Sequence, residues 1–289
     1  MDYVQPKEVL QSMVDAGSVK AELPAGRLLI RGALAGAILA CATTLAYTAT
    51  AQTGLGLAGA LVFPVGFIMI VLLGLELVTG SFALIPLAVI ERRTSWARML
   101  NNYVWVILGH LLGCAIYAGL YVLTQTKMGT DAGGPLGQAL ISASEAKTLT
   151  YQAMGADGML LAVIKAILCN WMVTLGVVMA MTSKSTLGKI AAMSLPIITF
   201  FAQGFEHAVV NMFVIPAGML LGAQVSLGDW WLWNQLPVLF GNFIGGALCT
   251  GMLFYAAQRG WKRKPEPVRA AAEQPGKPGL QLAVGEERS

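Results

Sequence analysis

The chain has 289 residues, of which 56% are hydrophobic and 12% are charged, with a formal net charge of +4 and a mean hydropathy of +0.66. Charged residues make up about 25% of an ordinary soluble protein, so this chain has too few to cover a water-exposed surface. The composition argues against a soluble enzyme, a nucleic-acid-binding protein, a disulfide scaffold and a disordered protein, and it predicts an all-α integral membrane protein.

The first predicted element is the cytoplasmic segment 1–26, in which apolar residues recur at helical spacing. Val9, Leu10, Met13 and Val14 would share one face of a short helix. An amphipathic helix outside the membrane core predicts an interfacial helix or a helix that binds a partner.

Six apolar regions follow, and each is long enough to cross a bilayer, which takes about 20 residues. They run over residues 28–50, 56–90, 101–125, 157–182, 188–222 and 231–257. The second and fifth regions are too long for one simple helix, and each is interrupted, by Gly74–Glu76 and by Gln203–His207. We therefore predict a channel domain over residues 27–257 with six transmembrane helices, two of them broken.

The connection at 126–156 is the longest, and we predict a short helix near 145–154 within it.

Loop composition predicts the orientation. Lysine and arginine are concentrated in the segments that lie on the same side of the membrane as the N-terminus. The loops on the other side hold only two basic residues, Lys127 and Lys147. By the positive-inside rule, both termini are predicted to be cytoplasmic, in a multi-pass protein of the inner (cytoplasmic) membrane. The segment 258–289 is rich in Pro, Gly, Ala and charge, which predicts a disordered cytoplasmic tail.

The two halves of the chain share short motifs in the same order, at an offset of about 130 to 134 residues. The matched pairs are Ile30-Arg31 with Ile164-Lys165, Gly74-Leu75-Glu76 with Gly204-Phe205-Glu206, Asn102 with Asn234, and Gly109-His110 with Gly241-Asn242. Each half holds three spans, an odd number, so the halves would enter the membrane with opposite topology. We predict an inverted 3+3 repeat, an architecture common in channels and secondary transporters, with the two breaks near the midplane.

Ionisable side chains inside a membrane are costly, so each is a candidate for function. His207 is the strongest candidate, because a neutral imidazole accepts and releases a proton near physiological pH. Thr79 follows the first interruption, where its hydroxyl would either bind a passing anion, orient His207 or satisfy the backbone.

The remaining charged candidates fall in matched pairs. Glu76 and Glu206 are expected to hold the two breaks in shape by accepting hydrogen bonds from freed backbone N–H groups, with direct proton transfer as the alternative. Lys165 would attract anions to the outer vestibule. Its repeat partner Arg31 would lie toward the inner mouth or extend to the membrane interface.

Apolar side chains flank the breaks at helical spacing: Phe63, Phe67, Phe200 and Val173. They would either pack as ordinary helix contacts or form two apolar gates that bare ions cross poorly. His110 and His207 lie in different spans and no Cys-x-x-Cys occurs, so no metal site is predicted. The absence of a P-loop, a dinucleotide fingerprint or a serine nucleophile elbow predicts no cofactor and no enzyme activity.

Three stretches of the sequence resemble the formate/nitrite transporter family. Gly74–Ser81 resembles the loop that breaks the family's second helix, Leu168–Val173 its fourth-helix signature, and Gly204–Met212 its fifth-helix break. The resemblance covers roughly residues 5–257. It implies a homopentamer of aquaporin-like protomers, each with its own pore, although no Asn-Pro-Ala motif is present.

The resemblance also implies roles for particular residues. His207 would be the pore histidine, with Thr79 facing it. The positions that line the family's two apolar constrictions are Phe63, Phe67, Phe200 and Val173, and the polar positions near the site are Asn170, Asn211, Glu206 and Lys165. Phe67 stands where a leucine is common in the family, which would narrow a gate or shift selectivity.

The family moves small monovalent anions of weak acids, such as formate, nitrite, hydrosulfide, acetate and lactate. The hypothesis is that an anion, most of all formate, is protonated with His207 as donor or relay, crosses an apolar gate as the neutral acid, and reionises. A second account keeps His207 charged as a fixed attractor. The alternatives are a nitrite transporter on the same scaffold, a neutral-solute or water channel, and an intramembrane enzyme, which would need a nucleophile or metal beside His207.

Overall fold

The structure is a computed structural model that describes residues 2–259. Its helices, in chain order, are α1 (Pro6–Ala21), α2 (Ala25–Thr53), α3 (Gly56–Val62), α4 (Pro64–Leu72), α5 (Val78–Ile90), α6 (Trp96–Gln125), α7 (Gly134–Ala153), α8 (Ala156–Met181), α9 (Thr186–Ala202), α10 (Ala208–Leu220) and α11 (Leu227–Arg259). Within these residues the only extended pairing is an isolated bridge between Tyr3 and Ser183, so the described part is all-helical, as predicted.

Four of the helices, α2, α6, α8 and α11, are long and apolar enough to cross a membrane by length and composition. They coincide with the first, third, fourth and sixth predicted regions. The second region is divided among α3, α4 and α5, and the fifth between α9 and α10. α5 and α10 have 13 residues each, fewer than a bilayer requires of one helix.

The two breaks have the same backbone geometry. α4 and α9 each end in a turn in which a glycine adopts the left-handed conformation, with φ of 63° at Gly74 and 64° at Gly204. The next residue donates back into the last helical turn, from Leu75 N to Ile70 O at 3.0 Å in the first break. Such a helix end requires φ > 0, which glycine adopts without a Cβ clash. The predicted interruptions at 74–76 and 203–207 are therefore confirmed.

The amphipathic helix α1, predicted as an interfacial or partner-binding helix, packs its apolar face against the protein itself. Its buried apolar face consists of Val9, Leu10, Met13 and Val14, and it contacts Leu84, Leu87 and Val178 of α5 and α8. Burial against an apolar surface of the same chain satisfies the amphipathic pattern.

The helix in the longest connection, α7, starts eleven residues before the predicted start at residue 145. Its buried side includes Gly137, Leu140, Ser144 and Thr148, which face α10. Because most of these residues are small or polar, no apolar stripe marks the helix in the sequence. The predicted disordered tail at 258–289 falls almost entirely outside the described residues, which end at Arg259 within α11.

A continuous apolar surface runs along α6. Exposed side chains recur every fourth residue: Leu100, Val104, Leu108, Leu112, Ile116 and Leu120. Four residues exceed one helical turn by about 40°, so this row winds around the helix. So much exposed apolar surface would be unstable in water. It therefore faces lipid or another apolar protein surface.

The close contact between α1 and α5 can be tested by substituting the glycine at the contact. A Cβ added to Gly17 would lie 2.2 Å from the carbonyl oxygen of Leu84, whereas one added to Gly26 in α2 meets nothing within 4 Å. Alanine favours the helix at both positions by up to about 1 kcal/mol, but overpacking at Gly17 costs about 1–3 kcal/mol. We expect Gly17→Ala to lower the thermal unfolding midpoint in detergent and to speed proteolysis of the N-terminal segment.

Gly26→Ala is the matched control, because the same substitution is made in a helix with open space around it. Equal unfolding midpoints for the two variants would contradict the packing of α1 against α5.

Candidate functional site

A buried histidine and a buried threonine meet where the two broken helices converge. His207 precedes the first residue of α10, and Thr79 lies in the first turn of α5. Thr79 Oγ1 and His207 Nε2 are 3.1 Å apart, and the two residues are 0% and 3% exposed. The N-termini of two helices therefore point at this pair, and their partial positive charge favours an anion there.

The hydrogen bonds of His207 indicate the tautomer of its neutral ring. The backbone N–H of Val210 donates to His207 Nδ1 at 3.3 Å, so this nitrogen carries a lone pair. The neutral ring then holds its proton on Nε2, which donates to Thr79 Oγ1. In this geometry His207 both caps α10 and presents a neutral imidazole to Thr79.

The second histidine, His110, has a structural role. Its Nε2 accepts from the backbone N–H of Val78 at 3.1 Å, and its Nδ1 donates to the carbonyl of Gly32 at 2.8 Å. Asn242, its partner in the predicted repeat, accepts the equivalent bond from Ala208 N–H at 2.9 Å. Both ring nitrogens of His110 are thus engaged in holding the start of α5.

Two cavities approach the Thr79–His207 pair from opposite directions. The first, here the α7-side cavity, has a volume of about 450 Å³ and is lined by His207 itself. The second, the α1-side cavity, measures about 360 Å³ and reaches Gly80, the neighbour of Thr79. The polar pair therefore lies between the two cavities.

Each cavity carries a lysine that is paired with a buried glutamate. Lys147 Nζ lies 2.8 Å from Glu206 Oε2 on the α7 side, and Lys20 Nζ lies 2.9 Å from Glu76 Oε2 on the α1 side. The glutamate side chains are 2% exposed, and those of Lys147 and Lys20 are 20% and 22% exposed. The carboxylates are thus neutralised inside the protein, whereas the ammonium groups remain in contact with the cavities.

Glu206 is held by side chains rather than by freed backbone N–H groups, which differs from the prediction. Besides Lys147, it accepts hydrogen bonds from Tyr151 Oη and from Asn211 Nδ2, both at 2.8 Å. Asn211 also donates to Asn234 Oδ1 at 2.8 Å, which ties this network to α11. On the other side, the Lys20 ammonium is the only donor to Glu76 among residues 2–259.

Asn170 supports Thr79 from α8. Its amide donates to the carbonyl oxygen of Thr79 at 3.0 Å and to that of Asn242 at 2.6 Å. It thus connects the first turn of α5 to α11 and fixes the backbone that carries the threonine hydroxyl.

The charged side chain that lines the α7-side cavity is Lys147. Lys165 is half-buried on α8 and lines neither cavity, whereas Arg31 lines the α1-side cavity. Sequence reasoning missed Lys20 and Lys147 because both lie outside the apolar regions, where charged residues are ordinary. The signal that would have found them is the repeat, since each lysine lies shortly before one of the matched helices α2 and α8.

The predicted apolar residues differ in their relation to the cavities. Phe200 lines the α7-side cavity and stacks on His207 with ring centroids 5.7 Å apart. Phe63 is buried against the edge of Phe200, also at 5.7 Å. Phe67 lines the α1-side cavity, while Val173 is fully buried in α8 and lines neither.

The geometry defines a helical membrane protein with a buried polar pair between two cavities. The sequence profile described as Formate/nitrite transporter matches residues 7–256. The chain is 32% identical over 268 residues to the uncharacterized transporter YrhG of Bacillus subtilis, covering 89% of this chain and 94% of the relative. It is 30% identical over 270 residues to a probable formate transporter of Methanothermobacter thermautotrophicus, covering 88% and 96%.

Solved structures show the same fold. One FNT family ion channel superposes with a TM-score of 0.74 at 24% identity, covering 86% of this chain and 98% of the other. A pentameric formate channel with formate bound superposes with a TM-score of 0.65 at 25% identity, covering 81% and 97%. The protein belongs to the formate/nitrite transporter family, whose members found here are transporters and channels, not enzymes.

The role assigned to His110 can be tested by substitution. His110→Leu leaves the N–H of Val78 and the carbonyl of Gly32 unpaired, at a cost of about 1–3 kcal/mol for each buried group. His110→Asn restores donor and acceptor capacity of the kind Asn242 supplies in the other half. We expect the leucine variant to have the lower thermal unfolding midpoint in detergent. Equal midpoints, or a more stable leucine variant, would contradict the structural role.

Proposed function

We propose that this protein carries small monovalent anions of weak acids, above all formate, across the membrane. The observation that carries the proposal is the buried Thr79–His207 pair between two cavities, each with one glutamate-paired lysine. Family membership and the names of relatives, several of which are formate channels or transporters, support the substrate.

We propose a topology of six spans in an inverted 3+3 repeat, with both termini cytoplasmic in the inner membrane. Matched contacts support the repeat: Asn102 Nδ2 donates to the carbonyl of Lys20, and Asn234 Nδ2 to that of Lys147, both at 2.9 Å. The distribution of basic residues favours the α1 side as cytoplasmic. The α1-side cavity would then open to the cytoplasm.

We propose that the protein assembles as a homopentamer in the bilayer, each protomer with its own pore. The support is a solved relative described as a pentameric formate channel. The exposed apolar row on α6 supplies a surface suited to lipid or to a neighbouring protomer.

The proposed mechanism begins with capture of the anion. The ammonium groups of Lys147 and Lys20 and the N-termini of α5 and α10 lower the energy of an anion in either cavity. Aromatic side chains around the central pair, among them Phe200 on one side and Phe67 on the other, exclude water. A bare anion that entered this apolar section would lose its hydration without full compensation.

Proton transfer removes this barrier. When His207 takes up a proton from solution, its Nδ1 can no longer accept a hydrogen bond from Val210 N–H, so the ring no longer caps α10. The imidazolium then transfers one proton to an oxygen of the anion, and the products are a neutral acid and a neutral imidazole. The neutral acid crosses the apolar section and releases its proton on the far side. The contact of Nδ1 with the N–H of Val210 favours return to the neutral ring.

The geometry supports this cycle over a permanently charged His207, because a protonated Nδ1 would face the N–H of Val210. Thr79 positions the ring through its Oγ1, and Asn170 positions Thr79. Asn211, Glu206 and Glu76 hold the lysines in place. Phe63 and Val173 serve as packing behind the gates, since neither lines a cavity.

Nitrite is the second candidate substrate, because nothing in the lining residues separates one small anion from another. A neutral-solute or water channel is the remaining alternative. It predicts a flux that does not change with pH or with substitution of His207.

The decisive experiment measures formate and nitrite uptake into proteoliposomes, with and without an acidic outside. His207→Asn retains a side chain suited to capping α10 but cannot titrate, whereas His207→Phe removes both functions. We expect the wild-type flux to rise with the gradient and both variants to lose the stimulation, with formate flux reduced about 100-fold, the scale of general acid–base catalysis.

His110→Asn is the matched control, since it makes the same substitution at the chain's other histidine, and it should keep the response to the gradient. Formate flux with unchanged pH dependence in His207→Asn would overturn the role of His207. Faster nitrite than formate flux would change the substrate, and fast water or glycerol flux without anion flux would establish the neutral channel.

A further inference from the structure

The two cavities differ in the charge of their lining residues. In the α7-side cavity the charged lining residue is Lys147, which is paired with Glu206. The α1-side cavity is lined by Lys20, by its partner Glu76, and by Arg31. Among residues 2–259, no carboxylate forms a salt bridge with Arg31, so this cavity carries one uncompensated positive charge.

Arg31 occupies a position suited to hold a small anion. It lies in the second turn of α2 and is half-buried, so its charge acts in a partly dehydrated cavity whose walls include Phe67, Leu77 and Leu84. A guanidinium presents two parallel N–H donors that match the two oxygens of a carboxylate or of nitrite. The ammonium of Lys20 is less available, because Glu76 already neutralises it at 2.9 Å.

The predicted repeat partner of Arg31 does not supply a positive charge to the α7-side cavity. Lys165 lies on α8 at the matching position but does not line the α7-side cavity. The difference between the two cavities therefore lies in the placement of one charge, not in the composition of the two halves.

We propose that Arg31 forms an anion subsite in the α1-side cavity, which takes small monocarboxylates or nitrite before they reach Thr79 and His207. This inference rests on the proposed function. The subsite makes capture from the α1 side tighter, so the half-saturation concentration for formate is lower from that side than from the α7 side.

Thermodynamics links the kinetic parameters of transport in the two directions. Without a gradient, a passive transporter cannot concentrate its substrate, so the ratio of maximal rate to half-saturation concentration is the same in both directions. Tighter capture on the α1 side therefore comes with a lower maximal rate from that side. A merely structural defect would instead lower the maximal rate in both directions and leave the half-saturation concentrations alone.

The test uses full-length protein in proteoliposomes selected for one orientation, which is checked by protease cleavage of the N-terminal segment. Initial rates of labelled formate influx and efflux are measured at equal pH on both sides, for wild type, Arg31→Gln, Arg31→Lys and Arg27→Gln. Arg27 is the matched control, because it lies one turn earlier on α2, is exposed and lines neither cavity.

We expect Arg31→Gln to raise the half-saturation concentration from the α1 side about tenfold, the lower end of the scale on which a charged cleft concentrates counter-ions. The value from the α7 side should change less than about twofold, and Arg31→Lys and Arg27→Gln should stay close to wild type. Equal values from both sides in the wild type, or equal changes on both sides in Arg31→Gln, would overturn the subsite.

A second measurement needs no variant and so does not depend on the folding of Arg31→Gln. Raising potassium gluconate from about 10 mM to about 150 mM shortens the Debye length to about 8 Å and screens the cavity charge. The half-saturation concentration should rise more on the α1 side, and an equal or smaller rise there would count against the subsite. If the wild type carries no formate or nitrite in either direction, the proposed function itself fails, which is a distinct result.

Discussion

The whole arrangement depends on satisfying the backbone at two broken helices inside an apolar environment. A helix that starts within a membrane frees N–H groups, and no water is present there to bond them. The chain supplies a side-chain acceptor for three of these groups: His110 for Val78, Asn242 for Ala208, and His207 for Val210. Because these acceptors come from α6, α11 and the break itself, holding the breaks also holds the helices around them.

Most of the architecture was predictable from the sequence, because long apolar runs and their interruptions are strong physical signals. The breaks lie where Gly74 and Gly204 occur, and the matched motifs fall on matched structures. Two features were not predictable. The face that α7 buries consists of small and polar residues, so no periodicity marks it, and the lysines of the two cavities look like ordinary loop charges. The sequence also offered no basis for deciding which member of the pair Arg31 and Lys165 faces a cavity.

The two helix breaks share a backbone geometry but carry different side chains. The residue before the second half-helix is His207, and the equivalent position in the first half is Leu77. Asn211 links Glu206 to Asn234, whereas Ser81 Oγ and Asn102 Oδ1 in the first half have no partner within the described residues. A serine is shorter than an asparagine and does not span the same gap. Duplicated geometry therefore does not make the two sides of the protein equivalent.

The sequence separation of the contacts has a consequence for how the chain assembles during synthesis. Lys20 and Glu76 are 56 residues apart, and Lys147 and Glu206 are 59 apart, so each ion pair closes within its own half. Thr79 and His207 are separated by 128 residues. Since a growing chain emerges from the ribosome at about 5–20 residues per second, the first ion pair has several seconds to form before His207 exists. The Thr79–His207 contact is therefore completed only after the second half of the chain has been synthesised.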